Sequence, residues 1–77
     1  MKTYRYESYT AHKEGEDRHP LRVIGEILKS DPDLKVTAWT AHPIGDCWIF
    51  QFNKELPEPV PKFLADVTKY YERSGDL

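Results

Sequence analysis

The stretch VTAWTAHPIGDCWIFQFN, residues 36–53, decides the fold. Its two arms are rich in the β-branched and aromatic residues that favour strands, and Pro43 and Gly45 between them are typical of a turn. Both tryptophans and two of the three phenylalanines lie in these arms. The pattern predicts a β-hairpin with strands at 35–41 and 47–53, which supplies much of the apolar area that drives folding.

The length of the hairpin loop sets which side chains share a face. We favour a five-residue loop, 42–46, which places Ala38 opposite Phe50, whereas a four-residue loop places Trp39 beside Phe50. One face then carries Val36, Ala38, Thr40, Trp48, Phe50 and Phe52, and its pairing of small with large side chains predicts the core. The other face carries Thr37, Trp39, Ala41, Cys47, Ile49 and Gln51. This mixed face is either covered by another segment of the chain or open to a partner.

The flanking segments complete a small α+β domain over residues 1–77. The patterns predict a strand at 2–10, a mobile charged loop at 11–19, a helix at 20–30, a stiff proline-rich spacer at 54–61 and a helix at 60–73. In the strand at 2–10, the side with Tyr4 and Tyr6 is predicted to face the core. The last helix is indicated by apolar residues at three- and four-residue spacing: Val60, Phe63, Leu64, Val67, Tyr70 and Tyr71.

The predicted order is β-α-β-β-α. It favours a three-stranded, mainly antiparallel sheet packed by two helices, with a split βαβ unit like a ferredoxin-like fold truncated by one strand. The missing strand would leave one sheet edge open for pairing.

Composition limits the function classes. The chain has 77 residues, one cysteine and a formal net charge of −2. A mild negative charge is unusual for a general nucleic-acid binder, and a single cysteine rules out an intramolecular disulfide. Neither an apolar leader nor a run of about 20 apolar residues occurs, so we expect a soluble, cytoplasmic protein.

No residue pattern indicates catalysis, a metal or a cofactor. His12, His19, His42 and Cys47 lack the close spacing of zinc ligands. Cys47 and His42 could form a thiol nucleophile and its base, but no third orienting group is evident, and a lone strand cysteine is usually a packing residue. Phosphate-binding loops and hydrolase signatures are absent from the sequence. We therefore expect a non-enzyme without cofactors.

Two function classes follow. The first is a protein-interaction module, acting as a monomer or a homodimer, that inhibits or adapts a larger complex, as small accessory proteins of phages and mobile elements do; this expectation rests on analogy. Its expected partner-binding residues are Trp39, Ile49, Thr37, Gln51, Arg5 and Tyr9. The alternative is a single-stranded nucleic-acid binder, of RNA above all, because basic and aromatic residues alternate at Lys2, Tyr4, Arg5 and Tyr6.

Overall fold

A computed structural model describes residues 1–40 and 47–75, and the side chains of the described part end at Tyr71. The elements are β1 (Lys2–Glu7), α1 (Ser8–Lys13), α2 (Pro20–Ser30), β2 (Val36–Thr40), β3 (Cys47–Phe52), β4 (Leu64–Asp66) and α3 (Thr68–Gly75). The strands form one sheet in the order β2-β3-β1-β4, and each neighbouring pair is antiparallel. The α+β class is confirmed, but the described chain has four strands and three helices rather than three and two.

The hairpin has the register that the five-residue loop predicts. Val36 lies opposite Phe52 and Ala38 opposite Phe50. Phe50 and Phe52 are fully buried, which confirms that their face is the core face. The loop itself, 42–46, lies outside the described residues, so the paired strands alone carry this conclusion.

The core lies between this face of the sheet and helices α1 and α2. Tyr4 and Tyr6 of β1 are buried in it, as predicted. Tyr4 meets Phe52 edge-on with ring centroids 6.0 Å apart, and Tyr6 packs on Phe63 at 5.2 Å. The other buried members are Ala11, Val23, Ile24, Leu34, Phe50, Leu56 and Leu64.

Helix α1 corrects the prediction of a strand to residue 10 followed by a loop from residue 11. The strand β1 ends at Glu7, and Ser8–Lys13 is helical. Ala11, only 2% exposed, packs into the core, and this tertiary contact outweighs the local strand preference of the tyrosines and threonines. Helix α2 has the predicted bounds. Its first residue is Pro20, and the backbone N–H of Leu21 donates to Nδ1 of His19 at 3.1 Å.

The predicted helix over 60–73 is wrong in its first half. Residues 64–66 form β4, which pairs with β1, and α3 begins only at Thr68. Phe63 and Leu64 belong to the apolar spacing that suggested a helix, and both are buried in the core although neither is helical. The edge of β1 offers backbone hydrogen bonds that a helix could not use, and Glu7 N–H donates to the Phe63 carbonyl at 2.8 Å. The Thr68 N–H donates to Oδ1 of Asp66 at 2.9 Å, a side-chain bond to the first residue of α3.

Candidate interaction surface

Five of the six predicted partner-binding residues share one side of the sheet. Arg5 on β1, Ile49 on β3 and Trp39 on β2 lie in one row across the strands, and Thr37 and Gln51 lie opposite each other two residues away. We call this side the Trp39 face. The sixth residue, Tyr9, lies on α1 and is 75% exposed, with the ammonium of Lys13 5.5 Å from its ring centre. The structure therefore does not join Tyr9 to the sheet residues.

Helix α3 covers part of the Trp39 face. Tyr71 of α3 meets Trp39 edge-on, with ring centroids 6.0 Å apart and an interplanar angle of 74°. Ile49, in the middle of the row, is 2% exposed and therefore packs inside the protein. Trp39 itself is half-buried and Thr37 is exposed. The accessible parts of this face are thus its β2 border and Arg5 on β1, not its centre.

A pair of hydrogen bonds holds the start of α3 on the sheet. The buried backbone N–H of Thr3 donates to Oγ1 of Thr68 at 3.0 Å, and this hydroxyl donates to the Thr3 carbonyl at 3.3 Å. The Thr3 carbonyl also accepts from the Val67 N–H at 2.9 Å. The position of α3 is therefore fixed by buried polar contacts as well as by the Tyr71 ring.

Two polar members of the Trp39 face, Arg5 and Gln51, already have partners within the chain. The guanidinium of Arg5 donates to the Glu7 carboxylate at 3.1 Å. The amide Nε2 of Gln51 donates to Oγ1 of Thr3 at 3.3 Å. The Arg5–Glu7 contact is exposed, so a partner could exchange it at small cost, whereas the Gln51–Thr3 bond is part-buried and ends on a residue that is 1% exposed.

The Tyr71 phenol lies near charged and titratable groups of the same face. Burial raises its pKa first, the neighbouring Cys47 and Tyr70 raise it further, and Arg5 acts in the opposite direction. A neutral phenol with a donor O–H is therefore the form present at neutral pH. Cys47 is half-buried, and its predicted base, His42, lies outside the described residues.

Strand β2 lies at one border of the sheet, and the N–H and C=O groups of alternate residues point away from the sheet. The Asn53 N–H donates to the Lys35 carbonyl at 3.1 Å, so the polar groups of Lys35 point toward β3. Because the N–H and C=O of one residue point to the same side of an antiparallel strand, and the side alternates along the chain, those of Val36, Ala38 and Thr40 point away from β3. In the described part of the chain no strand pairs with this side of β2.

The open edge of β2 is the feature of this surface that was hardest to predict from the sequence. The pattern predicts an open sheet edge, but it does not indicate which strand forms that edge. The available signal was the exposed composition of β2 on both faces: Ala38 and Thr40 are exposed on the core face and Thr37 on the Trp39 face. Buried central strands such as β3 have larger side chains at most positions.

A shallow depression of about 700 Å³ beside the start of α3 is lined by Lys2, Asp66, Thr68 and Tyr70. Two of its ionic groups neutralise each other, because the Lys2 ammonium lies 3.4 Å from the Asp66 carboxylate. The hydrogen bond from Thr68 and the Lys2 charge together hold the pKa of Asp66 below its usual value. Lys69 also lines the depression and adds a positive charge beyond this pair.

Residues 1–40 and 47–75 lack both a metal-binding cluster and a membrane-spanning helix. They contain no cluster of three or more histidine, cysteine, aspartate or glutamate side chains able to hold a metal ion. Within the same residues, none of the helices has the length and apolar content needed to cross a membrane.

The chain was compared with protein families, with curated proteins and with solved structures. No family model matches it, and no curated protein or solved structure shows significant similarity.

Proposed function

We propose that this chain is a non-catalytic protein-interaction module that takes an extended segment of a partner protein along the edge of β2. The observation that carries the proposal is the row of outward backbone groups at Val36, Ala38 and Thr40, beside the half-buried ring of Trp39. An added strand gains main-chain hydrogen bonds from such an edge and specificity from the alternate side chains. A role as inhibitor or adaptor of a larger complex is part of the same proposal.

Side-chain chemistry supports Trp39 as the anchor of this surface. Tryptophan is enriched among residues that dominate binding energy, and such anchors lie in partly formed apolar surroundings. Tyr71 supports one side of the Trp39 ring, so the ring is oriented before a partner arrives. Thr37 and Gln51 next to it supply hydrogen-bonding groups at the border of the apolar contact.

The test is capture from a host lysate, with and without nuclease, using wild-type protein and two variants of one exposed residue. Ala38→Pro removes an outward N–H that the sheet of this chain does not use, and proline is tolerated in edge strands. Ala38→Val keeps that N–H and is the matched control. We expect a nuclease-resistant partner that the wild type and Ala38→Val capture and Ala38→Pro loses. Equal capture by Ala38→Pro, folded by circular dichroism, would contradict edge addition.

Binding of single-stranded RNA is the second candidate. The observation that favours it is the placement of Arg5 and Trp39 on the same face, a cation and a stacking surface on either side of Ile49. The net charge of −2 and the Arg5–Glu7 ion pair weigh against it. It predicts affinity for a labelled oligonucleotide that falls steeply with salt, and binding without such a slope would reject it.

The strand order also bears on the fold proposal. Because β3 lies between β1 and β2 and is antiparallel to both, β1 and β2 run parallel on either side of it, with α1 and α2 in the connection. We propose a ferredoxin-like relationship on this basis. In the described chain the connection from β3 to β4 carries the proline-rich segment in place of a helix.

A further inference from the structure

We infer that the segment that pairs with β2 is β2 of a second copy of this chain, in an antiparallel arrangement around a two-fold axis at Ala38. The inference rests on the proposed function, since it uses the same edge. It names the partner, and the two copies would form one continuous sheet of eight described strands.

The backbone favours one register. In a symmetric antiparallel pair centred on Ala38, the outward groups of Ala38 face those of the other Ala38, and Val36 of each copy faces Thr40 of the other. All three outward residues of β2 are then used, whereas any shift by two residues leaves at least one of them unpaired. Three pairs that exchange two bonds each give about six backbone hydrogen bonds.

The side chains are self-complementary in this register. Ala38, which is small and exposed, meets its own copy at the axis, where the two methyl groups lie side by side in a hydrogen-bonded pair. On the Trp39 face, Thr37 of one copy lies opposite Trp39 of the other, in the closely spaced type of pair where β-branched and aromatic residues stabilise a sheet. Each copy therefore contributes a residue to the surface around the other copy's tryptophan.

The charges select a second copy rather than a charged peptide. Natural edge strands are protected from self-pairing by lysine, proline, bulges or inward-pointing charges. None of these occurs within Val36–Thr40, which is uncharged along its length. Lys35, the preceding residue, would fall opposite residue 41, beyond the paired stretch. An uncharged strand matches its own copy without like charges in opposition, and it offers nothing to attract a basic or acidic segment.

The size of the contact predicts a weak dimer. Five-residue strands with Trp39 as the one large side chain form an interface at the low end of specific complexes, below about 1,200 Å² in total. We expect a Kd between about 1 µM and about 100 µM, which is typical of transient association. A net charge of −2 on each copy adds little repulsion, because salt screens surface charges beyond about 8 Å at physiological ionic strength.

Sedimentation equilibrium of the full chain, from about 1 µM to about 1 mM, spans this range. The wild type should convert from monomer to dimer with concentration. Ala38→Lys places two ammonium groups beside each other at the axis and Ala38→Glu two carboxylates, so each variant alone should dimerise up to about five-fold more weakly than the wild type. Mixed in equal amounts, they should form a heterodimer. Ala38→Thr, a neutral strand-favouring change, is the control and should dimerise as the wild type does.

A wild type that remains monomeric at every concentration would overturn the inference, as would a mixture of the Lys and Glu variants that stays monomeric while both are folded. If either charged variant is unfolded, the wild-type and Ala38→Thr isotherms decide the question. Failure here is distinguishable from failure of the proposed function: a monomeric wild type that captures a foreign protein, sensitive to Ala38→Pro, refutes the dimer and leaves edge addition in place.

Discussion

Replacing Trp39 with alanine tests whether Trp39 is a surface anchor or a core residue. Full truncation of a buried tryptophan costs about 3–5 kcal/mol, and the Trp39 side chain is only half-buried. About half of that cost, near 2 kcal/mol, is expected, and the edge-on contact with Tyr71 accounts for about 0.5–1.5 kcal/mol of it. At about 0.05–0.15 kcal/mol per residue, a chain of this length has about 4–12 kcal/mol of stability, so the variant should remain folded.

Urea unfolding measures this change directly. Trp48, stacked on Phe50 in the core with an interplanar angle of 9°, remains as the fluorescent probe after Trp39 is removed. The midpoint should fall while the slope is unchanged, which marks a loss of stability without a change in the unfolded state. Tyr9→Ala, an exposed aromatic change, is the control and should shift the free energy of unfolding by no more than about 0.5 kcal/mol.

The double variant with Tyr71→Ala isolates the ring contact. The two single changes should couple by about 0.5–1.5 kcal/mol. Loss of folding, or a cost for Trp39→Ala above about 4 kcal/mol, would show that Trp39 is a core residue and refute its assignment to the surface. Additive effects of the two changes would show that Tyr71 does not orient the ring.

The remaining predictions concern the anchor of α3 and one ion pair. Thr68→Val should cost about 1–3 kcal/mol in urea unfolding, because the Thr3 N–H loses its buried acceptor while the Thr3 carbonyl keeps its bond from the main chain; an unchanged midpoint would contradict this. Hydrogen bonds from the side chain and backbone of Arg18 lower the pKa of Glu16 to about 2. A lowered pKa stabilises the fold above the usual carboxyl value, and the stabilisation is lost as the pH falls toward about 2. Arg18→Ala should raise the Glu16 pKa toward 4.5 in an NMR titration, and Arg22→Ala should leave it in place.

The hairpin could be predicted because its information is local. The five-residue loop is favoured over the four-residue alternative, and Phe50 lies opposite Ala38 as the five-residue loop requires. Helix α2 was equally clear from Pro20 and its apolar spacing. These elements have one period and one buried face, so local pattern and tertiary structure agree.

Strand β4 could not be predicted because its stability comes from β1, which is remote in sequence. Phe63 and Leu64 fit the apolar spacing of a helix, yet both side chains are buried. The free edge of β1 supplies the backbone hydrogen bonds of this segment. The same dependence on distant contacts concealed α1, where burial of Ala11 outweighs strand preference.

For the candidate site, strand alternation correctly grouped Trp39 with Ile49. It could not show that Ile49 would be buried while the β2 border stays accessible. That division depends on where α3 begins, which Thr68 and its bonds to Thr3 determine. The predicted set of partner-binding residues as a whole stays a prediction.

Amide hydrogen exchange along β2 tests the central claim most directly. The outward amides of Val36, Ala38 and Thr40 should exchange quickly at low protein concentration and slow markedly at high concentration or with a captured partner. The inward amides of Thr37 and Trp39, already bonded to β3, should change little and serve as the internal control. Outward amides that exchange at the same rate in the free and the associated protein would contradict edge pairing through β2.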